Sequence, residues 1–153
     1  MLPNQLPVVE WTTDGVKFKT TLLDAVSGRK LALRVVQAMA PALKNISSVD
    51  LKDGTALMAS MFAEVLGNLS PDLYDELCQN FFDTTVMPRA GGEDSLKGET
   101  AGAYYFAGKY DLLMRCVWEW CKANGFLGFL ERLQKLVQEA LEKAKSPSKS
   151  PTT

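Results

Sequence analysis

From Leu31 to Leu141 the apolar residues return, segment after segment, at three- and four-residue steps, which commits most of the chain to amphipathic helices. Leu31, Val35, Met39 and Leu43 define the first stripe, widened by Val36 and Ala40, with Arg29, Lys30 and Arg34 toward water. That helix is expected to begin near Asp24 or Ser27. Pro41, which lacks an amide hydrogen and crowds the preceding turn, is expected to kink or end it, leaving 45–53 as a polar connection. A second helix should start after Asp53 or Thr55, with Leu57, Met58, Met61, Phe62, Val65 and Leu66 on one face and Gly67-Asn68 as its stop. Ser70, Pro71 and Asp72 then supply a cap, a first helical residue and a dipole partner for a third helix, whose apolar side is Leu73, Tyr74, Leu77, Cys78 and Phe81.

A fourth helix reads from about Tyr104 to Ala123, with Phe106, Tyr110, Leu113, Met114, Val117, Trp118 and Cys121 on its stripe. Trp118 lies on that stripe, whereas Trp120 is turned about 160° from it and falls on a second surface. Asn124-Gly125 should break the helix. The last amphipathic segment carries Phe126, Phe129, Leu130, Leu133, Leu136, Val137, Ala140 and Leu141, and its flanking glycines, Gly125 and Gly128, would let it swing as a unit.

The remainder is short. Residues 8–23, built around Asp14-Gly15, read as a β-hairpin, which must lie on the helices or pair with another chain because a lone hairpin is marginal. Thr84 to Met87 reads as a short extended piece, and residues 88–102, rich in glycine, as a mobile loop. The expected fold is therefore mostly α: a small helical domain over 1–145 with a short N-terminal β-hairpin (8–23), helices over 24–145 and a long broken C-terminal helix. Residues 146–153, SPSKSPTT, have nothing to bury and should be disordered.

The chain contains no histidine, which removes the side chain best suited to proton transfer near neutrality and the commonest metal ligand. Cys78, Cys116 and Cys121 form no CxxC, and the last two sit about 140° apart around a helix, badly placed for a shared metal. Asp72, Asp75 and Glu76 are better explained as dipole partners than as a catalytic pair, and Gly91-Gly92 belongs to no phosphate-binding pattern. A formal charge of -1 gives no basic stripe for nucleic acid, and acids are interleaved among the aromatics that would stack on bases. No apolar run approaches the roughly 20 residues that span a bilayer, and the start of the chain has no secretory pattern. These features point to a non-enzymatic protein of a reducing cytosol, with no cofactor, metal, nucleic acid or membrane partner. Its final amphipathic helix either completes its own core or docks into a groove of another chain.

Three stretches resemble the phage tail assembly chaperones. GVKFKTTLLDAVSGRKLALRVVQAMAPAL from Gly15 is similar to that family's strand pair leading into a basic-then-apolar helix. LMASMFAEVLGNLSPDLYDELCQNFFDTTVM from Leu57 is similar to its next two helices, and YYFAGKYDLLMRCVWEWCKANGFLGFL from Tyr104 to its aromatic C-terminal signature. The 88–102 segment and the extension beyond Leu130 fall outside the resemblance. What it implies is a host-cytoplasmic chaperone that binds the tape-measure protein, helps recruit tail-tube subunits and leaves a homo-oligomer open. The implied alternative is a structural tail or head-tail component retained in the virion. A longer product made by ribosomal frameshifting is also compatible with the family. For the chaperone role the expected contacts are Trp120, Phe126, Phe129, Leu133, Leu136 and Val137.

Overall fold

The computed structural model describes residues 4–46 (for 40–46, the backbone) and 69–145. Asp14 and Gly15 adopt φ of 51° and 76°. Two successive residues of positive φ make the turn whose twist matches that of paired strands, which is why Asp-Gly is found here. It joins β1 (Val8–Thr13) to β2 (Val16–Thr21), with Thr13 opposite Val16 and Val8 opposite Thr21. The two-residue period turns Trp11, Thr13, Phe18 and Thr20 inward and leaves Glu10, Thr12 and Lys17 exposed. Trp11 stacks on Phe18 with ring centroids 4.5 Å apart.

α1 (Ala25–Ile46) starts where Asp24 caps it: the amides of Val26 and Ser27 each donate to Asp24 Oδ1 at 2.9 Å, and the Ser27 hydroxyl donates to Oδ2. These bonds, that of the Ser27 amide foremost, hold the Asp24 carboxyl below its ordinary value. The helix does not end at Pro41 but runs on to Ile46. One missing backbone bond is tolerated in a helix whose buried face, Leu31, Ala32, Val35 and Met39, is already packed. The helix expected around Leu57–Leu66, the 47–53 connection and the 146–153 tail lie outside the described residues.

α2 (Pro71–Thr84) begins as the sequence predicts, with the Leu73 amide donating to Ser70 Oγ at 3.2 Å and proline in the first turn. α1 carries no acidic residue and α2 no basic one. Opposite charge therefore faces across the pair, and Arg34 and Glu76 form an ion pair there. β3 (Thr85–Arg89) follows α2 with no intervening loop and pairs with β2, Thr85 opposite Thr20. β4 (Gly92–Ser95) returns beside β3 through a turn at Ala90-Gly91, where Gly91 has φ 88°.

The expectation of a mostly α fold with only a short hairpin is thus corrected: five helices pack with a four-stranded antiparallel sheet of order β1-β2-β3-β4 among the described residues. The predicted loop at 88–102 contains a hairpin. Its strands are too short and too polar to show the alternation that marks a strand, and they are held by neighbours rather than by their own pattern. The predicted continuous helix over Tyr104–Ala123 is also two: α3 (Ala101–Tyr105) and α4 (Tyr110–Ala123), parted at Gly108, which has φ 74°. α5 (Phe126–Lys145) follows the Asn124-Gly125 break.

The core lies between one face of the sheet and the helices, centred on Phe18, Leu77, Phe81, Val117 and Trp120. Two threonine hydroxyls, those of Thr20 and Thr84, accept from the indoles of Trp11 and Trp120, and a third, Thr85, bonds Thr20. Trp11 Nε1–H donates to Thr20 Oγ1 at 2.9 Å, and Thr20 Oγ1 lies 2.9 Å from Thr85 Oγ1. Trp120 Nε1–H donates to Thr84 Oγ1 at 2.9 Å, while Thr84 bonds back to the Asn80 carbonyl at 2.8 Å. Gly102, whose amide donates to the Leu96 carbonyl, is buried against the Phe82 ring. A Cβ built there would lie 2.5 Å from two of the ring's carbons. Gly102→Ala should therefore lower stability by about 1–3 kcal/mol, read as a reduced midpoint in urea without a change of slope.

All three cysteines are buried and free. Burial raises the thiols of Cys78 to about 11 and of Cys116 and Cys121 to about 12, from 9.0. In each the folded pKa is above the unfolded one, so the neutral thiols' contribution is intact below about pH 9 and is lost as pH rises through 11–12. Native protein at pH 8 should resist iodoacetamide at all three thiols and react fully in denaturant; fast native alkylation would contradict this packing.

Candidate partner-binding surface

α5 is amphipathic along its whole length, but it is packed only at its start. Phe126, Leu127 and Leu130 are buried, Phe129 and Leu133 are half-buried, and beyond them the helix projects from the body. At 1.5 Å per residue the projecting part, 134–145, is about 18 Å long. Along it Leu136, Val137 and Leu141 are exposed to 60%, 57% and 54%. Large apolar side chains at three- and four-residue spacing on an exposed face are what helix-in-groove recognition uses as anchors.

The base of this helix is fixed by the turn before it. Asn124 ends α4, and Gly125, with φ 78°, reverses the chain into α5. Asn124 Oδ1 accepts from the Leu23 amide at 2.9 Å, and its Nδ2 donates to the Trp120 carbonyl at 3.1 Å. One side chain thereby ties the exit of the first hairpin to the start of α5. Phe126 meets Trp120 edge-on, with centroids 5.7 Å apart.

The expected contact residues divide. Leu136 and Val137 lie on the projecting stripe, with Phe129 and Leu133 at its root. Trp120 has 0% exposure and Phe126 3%, and both belong to the core. The placement of Trp120 on a second surface is corrected. The buried arc of α4 is set by the four-residue steps Cys116–Trp120 and Val117–Cys121, and Trp118 lies beside that arc, half-buried. Leu141 was missing from the expected set although its signal was present, one helical repeat beyond Val137. Two further apolar residues stand far out, Tyr104 at 75% and Tyr110 at 73%, either side of the Gly108 break.

The polar flanks of α5, Glu131, Arg132, Lys135 and Glu139, mix both signs. Among the described residues no group of three or more metal-ligating side chains is assembled, and no helix is long and apolar enough to cross a membrane.

Comparison with known proteins finds no match among curated proteins and none among solved structures. Residues 14–143 match the phage tail assembly chaperone protein family, TAC. That range includes the β3–β4 hairpin and nearly all of α5, the segments that the sequence resemblance left out. A match over most of the chain settles the relationship, and the protein belongs to the phage tail assembly chaperone family.

Proposed function

We propose that this chain is a non-enzymatic chaperone of the host cytoplasm that holds apolar helical segments of the tape-measure protein and helps recruit tail-tube subunits during tail assembly. What supports this reading is the projecting half of α5, where Leu136, Val137 and Leu141 stay exposed although their spacing is that of a packing face. A large apolar stripe on an otherwise well-packed protein marks an interaction surface. A client helix laid along the stripe would bury it at about 25 cal/mol for each Å² of apolar surface removed from water. Self-association through the same stripe would compete with the client and would grow with concentration.

Co-expression with the tape-measure protein of the same gene cluster should give a soluble complex that survives affinity capture. Leu136→Glu with Val137→Lys should abolish it while changing stability by no more than about 0.5 kcal/mol, because both side chains are exposed. Trp120→Ala should instead cost about 3–5 kcal/mol of stability, the behaviour of a core residue. No complex, with the protein present in stoichiometric amount in purified particles, would make it a retained structural component.

A further inference from the structure

We propose that the outer edge of β1 pairs with β1 of a second copy of this chain, antiparallel about a two-fold axis at Trp11, so that the two sheets become one. Among the described residues β1 has a strand on one side only. An edge strand presents a row of backbone donors and acceptors, and proteins ordinarily blunt it with proline, lysine or a bulge. β1, VVEWTT, has none of these, and it pairs with β2 in register over its whole length. The ladder decides which of its residues face outward. The Leu22 amide donates to the Pro7 carbonyl at 2.9 Å, and Thr13 and Val16 flank the two-residue turn as a hydrogen-bonded pair. Bonded and non-bonded pairs alternate in an antiparallel ladder, so the backbone groups of Pro7, Val9, Trp11 and Thr13 face β2. Val8, Glu10 and Thr12 turn their amides and carbonyls to the outer edge, and their side chains are exposed.

A second copy is the partner because this edge is complementary to itself in one register. Even-numbered residues must meet even-numbered ones for the outward amides to be bonded, which spaces the possible registers by two residues. With Glu10 on the axis, two like charges would stand directly opposite, which destabilises a strand pair. With Val9 or Thr12 on the axis, only 8–10 or 11–13 of β1 overlap. With Trp11 on the axis 9–13 overlap, and Glu10 of each copy lies opposite Thr12 of the other, a carboxylate beside a hydroxyl that can donate to it. The two Glu10–Thr12 pairs are bonded pairs, about four backbone hydrogen bonds in all, and the two Trp11 meet where facing side chains stand closest. Trp11 is half-buried in its own chain, stacked on Phe18, and so has surface left to cover. Lys19 pairs with Glu10 and Lys17 with Thr12 across β1–β2. Each Glu10 would therefore sit between Lys19 of its own chain and the Thr12–Lys17 pair of the second copy. This pairing does not involve the α5 stripe and stands whether or not the stripe takes a client.

The test is made in the full chain carrying Leu136→Glu and Val137→Lys, so that association through the stripe does not contribute. Sedimentation at rising concentration should show monomer giving way to dimer. Thr12→Pro should weaken the dimer about tenfold or more and leave the β1–β2 bonds in place, because it removes an amide that faces the outer edge. The register is read by mixing a Glu10→Cys chain with a Thr12→Cys chain under oxidation. The native thiols are buried and stay out of the reaction at neutral pH. A disulfide needs Cα atoms within about 7 Å, which this register gives to 10 with 12 and denies to 10 with 10 and to 12 with 12. The mixture should therefore cross-link about tenfold faster than either variant alone. A chain that stays monomeric would overturn the proposal and leave the edge to a strand of another protein. So would a dimer indifferent to Thr12→Pro, or equal cross-linking in the three samples. Should Thr12→Pro not fold, the cross-linking rates decide alone.

Discussion

The contact between Thr20 and Thr85 fixes how the first hairpin joins the rest of the sheet. It joins the first hairpin to a strand that begins where a helix has just ended, across 65 residues of chain. Both hydroxyls are buried, and a buried hydroxyl without a partner costs more than a made bond returns. The pair is therefore a constraint on register as much as an attraction. A slip of one residue in either strand would turn Thr20 or Thr85 to the solvent face and send a lysine or Val86 inward. Thr84, next in the chain, fixes Trp120 from the helix side of the same junction. One dipeptide, Thr84-Thr85, thus bonds both to the sheet and to α4.

Much of this was legible beforehand. Asp14-Gly15 announces its turn because few residue pairs tolerate two positive φ values in a row, and the Ser70-Pro71-Asp72 start announces α2 because each residue satisfies a separate need of a helix end. Asn124-Gly125 marked the break before α5 for the same kind of local reason. What failed were inferences that needed tertiary knowledge. β4, GEDS, carries no apolar residue and is a strand only because β3 is beside it. Pro41 reads as a kink or an end because its local cost is real, yet α1 runs on to Ile46. The relationship to tail assembly chaperones was readable because the order of segments carries information that no single segment does.

The contact residues show the same division. Periodicity places Leu136, Val137 and Leu141 on one face of a helix, but it does not say where along that helix the body stops and water begins. Trp120 is the clearest case, since a four-residue ladder through Cys116 assigns it to the interior, whereas the neighbouring stripe through Trp118 is equally apolar in sequence alone. Phe126 and Leu136 belong to one continuous stripe, yet the first is core and the second stands in solvent. The helix spends its first turns on stability and the rest on surface.

The sheet has two unlike rims. β4 is four residues long and carries Glu93 and Asp94, a rim that discourages any further strand. β1 is six residues long, pairs in unbroken register and, among the described residues, has a neighbour on one side only. A sheet that can extend from both rims polymerises without limit, whereas one that can extend from a single rim is finished after one addition. The asymmetry leaves the described sheet one rim, β1, with the length and regular pairing that a further strand needs, and another, β4, whose shortness and charge resist one.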